Sequence, residues 1–158
     1  MQYAKAITVP ANTLASAPQR DIIPINKGLI NRVFIYFPPG SAGLLHIKVL
    51  DSTFQLYPSS LGETLWGDNI PFDFDDTYLK ESEPYELIIE SYNEDDYYAH
   101  KALIIIYQLS KAEYIARYLP TVASELISKI TEAALVEQQE TKTAQIAEAF
   151  EALKRIKG

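Results

Sequence analysis

Hydrophobic and polar residues alternate with a period of two along most of the first 110 residues, which is the pattern of half-buried β-strands. Leu45, Ile47 and Val49, for example, alternate with His46 and Lys48. Turn-forming residues separate these runs, so each run is expected to point one face into a common core. The alternation predicts strands at Ala4 to Val9, Asn31 to Phe37, Leu44 to Leu50, Phe54 to Tyr57, Ile70 to Phe74, Tyr85 to Tyr92 and Tyr98 to Leu109.

Two details refine this strand pattern. Pro71 cannot donate a ladder hydrogen bond, so it places its strand at a sheet edge or near a strand end. The two strongest runs flank the polar segment Asn93 to Asp96, which predicts that they form an antiparallel hairpin. Short strands at regular spacing predict an antiparallel β-sandwich or jelly roll.

The pattern becomes helical after residue 110. Ser110 and Glu113 have the spacing of a capping box, which predicts a helix from about Lys111 to Tyr118. Pro120 is expected to end or kink that helix, because proline disfavours helical geometry at the residue before it. The sequence therefore predicts a sandwich over residues 1–110 and an α-helical C-terminal segment over residues 111–158.

Apolar residues in the C-terminal segment recur at spacings of four and three. Glu137 and Glu140 interrupt this recurrence, so one long helix and two shorter helices both remain open. A long helix in isolation would expose its apolar residues, so we expect other copies of the chain, a larger assembly or the sandwich to cover them. The predicted interface consists of Leu126, Ile127, Ile130, Ile146, Phe150 and Leu153.

The net charge of -7 is unevenly distributed. Residues 51–96 carry 13 acidic side chains and 1 basic side chain, whereas residues 1–50 carry 1 acidic side chain and 5 basic ones. An acidic segment repels a phosphate backbone, and no basic stripe with interleaved aromatic residues is present. Direct nucleic-acid binding is therefore not expected.

Composition narrows the class of protein further. The chain has no cysteine, which excludes disulfides and thiolate metal ligands. Its N-terminus has no apolar run of signal-peptide length, and its longest apolar stretch is too short to cross a bilayer. We therefore expect a protein without a signal peptide and without a membrane partner.

Acidic and histidine side chains are the candidates for metal binding and catalysis. Asp73, Asp75 and Asp76, together with the segment Asn93 to Asp96, offer oxygen ligands for Ca²⁺, but no glycine-centred binding loop accompanies them. Solvated surface charge is the favoured interpretation, with a Ca²⁺ site as the alternative. The only two histidines have no evident serine partner, so we expect no catalytic residue, no metal ligand and no cofactor.

Four aromatic residues form a candidate ligand platform. Trp66, Tyr57, Tyr97 and Tyr98 would serve a carbohydrate-binding module, because indole and phenol rings stack on the face of a pyranose. Core or subunit-interface packing is the competing interpretation, and it is the more common role for such residues.

Three stretches of the chain carry a resemblance to a known group of proteins. They are YFPPGSAGLLHIKVLDSTFQLYPS (Tyr36 to Ser59), GDNIPFDF (Gly67 to Phe74) and PYELIIESYNEDDYYAH (Pro84 to His100). They resemble small β-sandwich structural or decoration proteins of tailed-phage and related virus particles. The resemblance spans roughly residues 7–109 and implies no catalytic residue.

The sequence therefore predicts a non-enzymatic structural protein. The resemblance implies a capsid or tail component that is made in the host cytoplasm and resides in the virion. We expect it to associate with itself, with other virion structural proteins, or with both. The alternative is the carbohydrate-binding module around Trp66, with or without Ca²⁺.

Overall fold

The structure is a computed structural model that describes residues 1–123, 125–126, 128–129 and 132. Within these residues it contains nine β-strands followed by a helix, α1, whose described residues are 111–123, 125–126, 128–129 and 132. The strands are β1 (Gln2–Val9), β2 (Gln19–Pro24), β3 (Gly28–Phe37), β4 (Leu45–Asp51), β5 (Phe54–Tyr57), β6 (Leu65–Trp66), β7 (Ile70–Lys80), β8 (Glu86–Asn93) and β9 (His100–Leu109).

The strands form two antiparallel sheets. Sheet 1 has the order β1-β9-β3-β7, and sheet 2 has the order β2-β8-β4-β5, with the short β6 also pairing with β4. The chain thus pairs its first strand with its last, β2 with β8, β3 with β7, and β4 with β5. This nested pairing is the jelly-roll arrangement of a β-sandwich, so the predicted fold class is confirmed.

The core lies between the two sheets and is built from the inward residues of the alternating runs. In β4, Leu45, Ile47 and Val49 are fully buried, whereas His46 and Lys48 face outward and are half-buried. Sheet 1 contributes residues such as Ile35 and Ile104 from the opposite side. Side chains from two inner faces interdigitate in this way in any face-to-face sandwich.

The hairpin predicted between the two strongest runs is wrong. β8 belongs to sheet 2 and β9 to sheet 1, so the segment between them crosses from one sheet to the other. Asn93 anchors this crossing, because its buried side-chain amide donates hydrogen bonds to the carbonyls of Val9, Pro10 and Tyr98. Each strand contributes buried apolar residues, and placing the strands in opposite sheets brings both sets into the common core: Leu87 and Ile89 from β8, and Ala102, Ile104 and Ile106 from β9.

The edge position predicted for the Pro71 strand is confirmed, because β7 is the outer strand of sheet 1. The strand extends to Lys80, well beyond the predicted end at Phe74. The acidic side chains Asp73 and Asp75 lie along this edge and are exposed. Charged side chains on an outer strand discourage pairing with the edge of another sheet.

The capping box is confirmed at the start of α1. Glu113 accepts a hydrogen bond from the Ser110 amide (2.7 Å), and Ser110 Oγ accepts one from the Glu113 amide (3.2 Å). Residues 111–123 are helical without a break, so the expectation that the helix ends near Pro120 is wrong, whereas the alternative expectation of a kink there stays a prediction. The chain divides into two compact units, Met1–Tyr114 and Ile115–Gly158.

Candidate functional site

The described part of α1 carries an exposed apolar stripe. Ile115, Leu119, Val122 and Leu126 are spaced by four, three and four residues, and each is at least 41% exposed. This spacing puts all four side chains on one face of a helix. Leu126 belongs to the predicted interface, whereas Ile127, Ile130, Ile146, Phe150 and Leu153 lie outside the described residues.

The interface predicted from the sequence did not include three members of this stripe. Ile115 and Leu119 precede Pro120, and Val122 follows it, so a helix that ends at the proline separates them. Because residues 111–123 form one continuous helix, the three align with Leu126. Their 4-3-4 spacing, which is the spacing of a coiled-coil seam, could have identified them from the sequence.

Among the four predicted platform residues, Tyr57 is a core residue and not a surface ring. Its side chain is 4% exposed, and its ring packs edge-on against Phe74 at a centroid distance of 5.3 Å. Its hydroxyl donates a 2.6 Å hydrogen bond to the Asp76 carboxylate. Burial, together with this carboxylate, raises the pKa of Tyr57 above its ordinary value. Tyr57 therefore cannot offer a ring face to a ligand.

Trp66 is exposed and occupies the outer face of sheet 2. It lies opposite His46 across the β6–β4 ladder, and His46 lies opposite Tyr92 across the β4–β8 ladder. Directly opposed residues of antiparallel strands project on the same side of the sheet. The three rings therefore form a row across three strands, which we call the aromatic row (Trp66, His46 and Tyr92).

Two rings of the aromatic row, His46 and Tyr92, are stacked on each other. The planes of His46 and Tyr92 differ by 4°, and their centroids are 4.4 Å apart. Burial lowers the pKa of His46 below its usual value, and the Glu94 carboxylate offsets only part of this effect. The imidazole is therefore uncharged at neutral pH, and because the two rings are stacked face to face, each covers one face of the other.

The indole of Trp66 rests on the backbone of Gly43. A Cβ atom at Gly43 would lie 3.3 Å from Cε3 and 3.6 Å from Cζ3 of the indole. Gly43 also has a φ of +80°, a conformation that side-chain-bearing residues rarely adopt. Glycine at position 43 adopts this backbone conformation without strain and, having no side chain, leaves room for the indole. The position of Trp66 therefore depends on Gly43.

Polar groups border the aromatic row. His46 Nδ1 and Thr64 Oγ1 share a 2.9 Å hydrogen bond, and Glu94 Oε2 lies 3.8 Å from His46 Nε2. In the neighbouring row of the same face, the Glu90 carboxylate accepts hydrogen bonds from Lys48 (2.7 Å) and Arg20. Polar groups therefore lie at the edge of the His46 ring and in the neighbouring row, and Glu94 is half exposed.

Tyr97 and Tyr98 lie in the segment that joins β8 to β9 and are not members of the aromatic row. Both are exposed, and Tyr98 borders a cleft of about 320 Å³. Asp95 organises this segment, because its carboxylate accepts hydrogen bonds from the amides of Tyr97 and Tyr98 and pairs with His100. The two amides and then His100 lower the pKa of Asp95. The remaining cleft residues are Pro38, Pro39, Gly40, Ser41, Ala99, His100 and Lys101.

Several side chains of the acidic segment have structural partners and are not simply solvated. Asp73 forms a bidentate ion pair with Arg32. The Asp76 carboxylate accepts a hydrogen bond from the Tyr57 hydroxyl. The Asp68 carboxylate accepts hydrogen bonds from the backbone amides of Gly40 and Ser41. Among the described residues, no three histidine or acidic side chains are grouped closely enough to hold a metal ion. The acidic segment thus serves mainly to hold loops and strands in place.

Comparison of the chain with family models, with curated proteins and with solved structures found no match. In the part of the chain that the structure describes, no helix is long and apolar enough to span a membrane.

Proposed function

We propose that this protein is a non-enzymatic structural protein that associates with copies of itself through its C-terminal helix. The observation that supports this proposal is the exposed stripe of Ile115, Leu119, Val122 and Leu126. Four large apolar side chains at 4-3-4 spacing are costly to leave in water, and a second helix with the same stripe covers them by knobs-into-holes packing.

The partner in this proposal is a second copy of the chain. A stripe with heptad spacing is complementary to itself, because each side chain at a seam position fits between four residues of an identical helix. Association of the helices would also link the attached sandwiches, so any further contact between the sandwiches would form at a raised effective concentration.

The proposal extends to a virion structural or decoration component. Support comes from the resemblance of residues 7–109 to virus-particle proteins and from the jelly-roll topology, which viral capsid domains often use. A fold hosts many functions, so this support is an analogy at the level of fold. Mass spectrometry of virus particles from a producing culture tests it: the chain is expected in purified particles at constant stoichiometry.

Light scattering coupled to size-exclusion chromatography tests self-association on the full chain. We expect a mass that is a multiple of the 17.8 kDa of one chain. Leu126→Glu places a charge in the stripe and is expected to reduce the mass to that of one chain. Ser128→Glu is the matched control, because residue 128 is about 200° around the helix from residue 126 and receives the same charge.

Two results would contradict self-association through this stripe. One is a wild-type chain that stays at 17.8 kDa at concentrations of tens of micromolar. The other is an equal loss of mass in the Leu126→Glu and Ser128→Glu variants. Circular dichroism on both variants checks that the sandwich remains folded.

A further inference from the structure

The aromatic row on sheet 2 has the properties of a ligand-binding surface. Trp66 is 58% exposed, although its neighbours on the same face, His46 and Tyr92, are half-buried. Three strands spaced about 4.8 Å apart carry the rings, so the row spans about 10 Å. We infer that the aromatic row binds a neutral oligosaccharide, with one sugar ring stacked on the exposed indole of Trp66 and a second in contact with the His46–Tyr92 pair.

The chemistry of the row favours a sugar because it joins flat apolar faces to polar groups at their edges. One face of a pyranose presents C–H groups, which pack against the negative face of an aromatic ring. Its hydroxyl groups point outward around the ring edge. Here Thr64 and Glu94 lie at the edge of the His46 ring, beside Trp66 in the row, where sugar hydroxyl groups need hydrogen-bond partners.

The charges around the row argue against the nucleobases that also stack on aromatic rings. Proteins that bind single-stranded nucleic acid combine such rings with a basic groove that follows the phosphates. Beside this row the exposed carboxylate of Glu94 would repel a phosphate. Lys48 and Arg20, in the neighbouring row, are both engaged by Glu90. A neutral ligand avoids this repulsion.

The strand register makes the row rigid before any ligand arrives. His46 is held by its stack on Tyr92 and by its hydrogen bond to Thr64, and Trp66 rests against Gly43. A site that is already ordered loses little side-chain entropy on binding. The row therefore replaces the predicted platform: Trp66 remains, Tyr57 is buried in the core, and His46 and Tyr92 take the other positions.

Trp66 is the only tryptophan of the chain, so its fluorescence reports directly on this surface. The experiment titrates the full-length protein with four neutral tetrasaccharides, cellotetraose, chitotetraose, xylotetraose and mannotetraose, up to about 10 mM. We expect at least one of them to produce a saturable blue shift, because a stacked sugar removes water from the indole.

Variants measured by isothermal titration calorimetry locate the site. Trp66→Ala and Tyr92→Leu are each expected to weaken binding of the active tetrasaccharide by about tenfold or more. Tyr97→Ala is the matched control, because Tyr97 is an exposed aromatic residue (85%) outside the row, and its removal should leave the affinity unchanged. The Trp66 side chain is exposed, so its loss should not unfold the sandwich.

Three outcomes would overturn the inference. The first is that none of the four tetrasaccharides shifts the emission. The second is that Trp66→Ala binds as tightly as the wild type or that Tyr97→Ala loses binding equally. The third is that single-stranded oligothymidylate binds more tightly than every sugar, which would identify the row as a nucleic-acid contact. If no sugar binds and Trp66→Ala lowers the oligomeric mass, the row is instead a protein contact.

Discussion

The ammonium group of Lys80 lies 2.6 Å from the carboxylate of Asp51, and this ion pair joins the two sheets of the sandwich. Lys80 is the last residue of β7 in sheet 1, and Asp51 is the last residue of β4 in sheet 2. Only 2% of the lysine side chain and 12% of the aspartate side chain are exposed. Tyr78 donates a second hydrogen bond to the same carboxylate, at 2.7 Å.

Removing Lys80 should destabilise the sandwich strongly. Lys80→Met leaves the buried Asp51 carboxylate without its cation, which we expect to cost about 3 kcal/mol of unfolding free energy in urea denaturation. Lys5→Met is the control, since Lys5 and Asp21 form a more exposed and longer pair (3.7 Å), worth less than about 1 kcal/mol. Equal losses in the two variants would contradict the bridging role of Lys80.

The same pair predicts how stability depends on pH. Burial raises the pKa of Asp51, but hydrogen bonds from Lys80 and Tyr78 lower it more, so its folded-state pKa lies below its ordinary value. A lowered pKa stabilises the folded state above the unfolded pKa of about 4, and this stabilisation is lost as the pH falls through the folded pKa. Glu90 behaves in the same way, because hydrogen bonds from Lys48 and Arg20 outweigh the effect of burial on its pKa.

Urea midpoints measured from neutral pH to about pH 3 check this dependence. We expect little change down to about pH 5 and a steady fall below it. Asp51→Asn should be less stable at neutral pH and should lose less stability on acidification than the wild type. A variant curve that runs parallel to the wild-type curve at every pH would contradict the assignment.

Tyr57 and Tyr97 should respond differently to loss of the hydroxyl group. Tyr57→Phe keeps the buried ring but removes its hydrogen bond to Asp76 Oδ2, at a cost of about 1–3 kcal/mol. Tyr97→Phe alters a side chain that is 85% exposed and should change the unfolding free energy by less than about 0.5 kcal/mol. Thermal melts of both variants give the comparison, and an unchanged melting temperature of Tyr57→Phe would contradict a stabilising role for this hydrogen bond.

The sandwich should fold without the C-terminal segment. Residues Met1–Tyr114 form one compact unit that contains both sheets and the core. A fragment of these residues is expected to melt cooperatively with a β-type circular dichroism spectrum and to elute as a monomer. A peptide of residues 111–158 should be largely unordered at micromolar concentration, because an isolated amphipathic helix gains little without a partner. An unfolded sandwich fragment would show that the two units depend on each other.

The alternation of the sequence predicted most strands and their inner faces, but not which strands pair. Period-two patterns decide which side chains face the core, whereas the sheet to which a strand belongs depends on distant partners. This is why β8 and β9 were expected to form a hairpin. β2 was missed because it is short and bounded by prolines, with Ile23 as its one deeply buried side chain.

Pro120 was misjudged for a different reason. A proline inside a helix removes one hydrogen bond and leaves the carbonyl of residue 116 without its usual donor. In α1 all described residues from 111 to 123 are exposed. Water can therefore satisfy that carbonyl, and the cost falls below that in a buried helix.

The candidate ligand surface was predicted only in part. Trp66 is conspicuous in the sequence, but His46 and Tyr92 join it through the registers of β4 with β6 and with β8. Residues so far apart in sequence become neighbours only when these ladders are known. Tyr57 was included in the predicted ligand platform because the sequence alone does not distinguish a buried aromatic residue from an exposed one.

The nested strand pairing also sets the order in which the chain can fold. β1 pairs only with β9, so Gln2 must wait for Tyr107 to be synthesised before its ladder can form. Until then, the apolar faces of β1 and β3 lack the strand that lies between them. Such distant pairings are typical of domains that fold in milliseconds to seconds. A nascent chain halted before residue 100 would therefore depend on chaperones to avoid aggregation, whatever the finished protein binds.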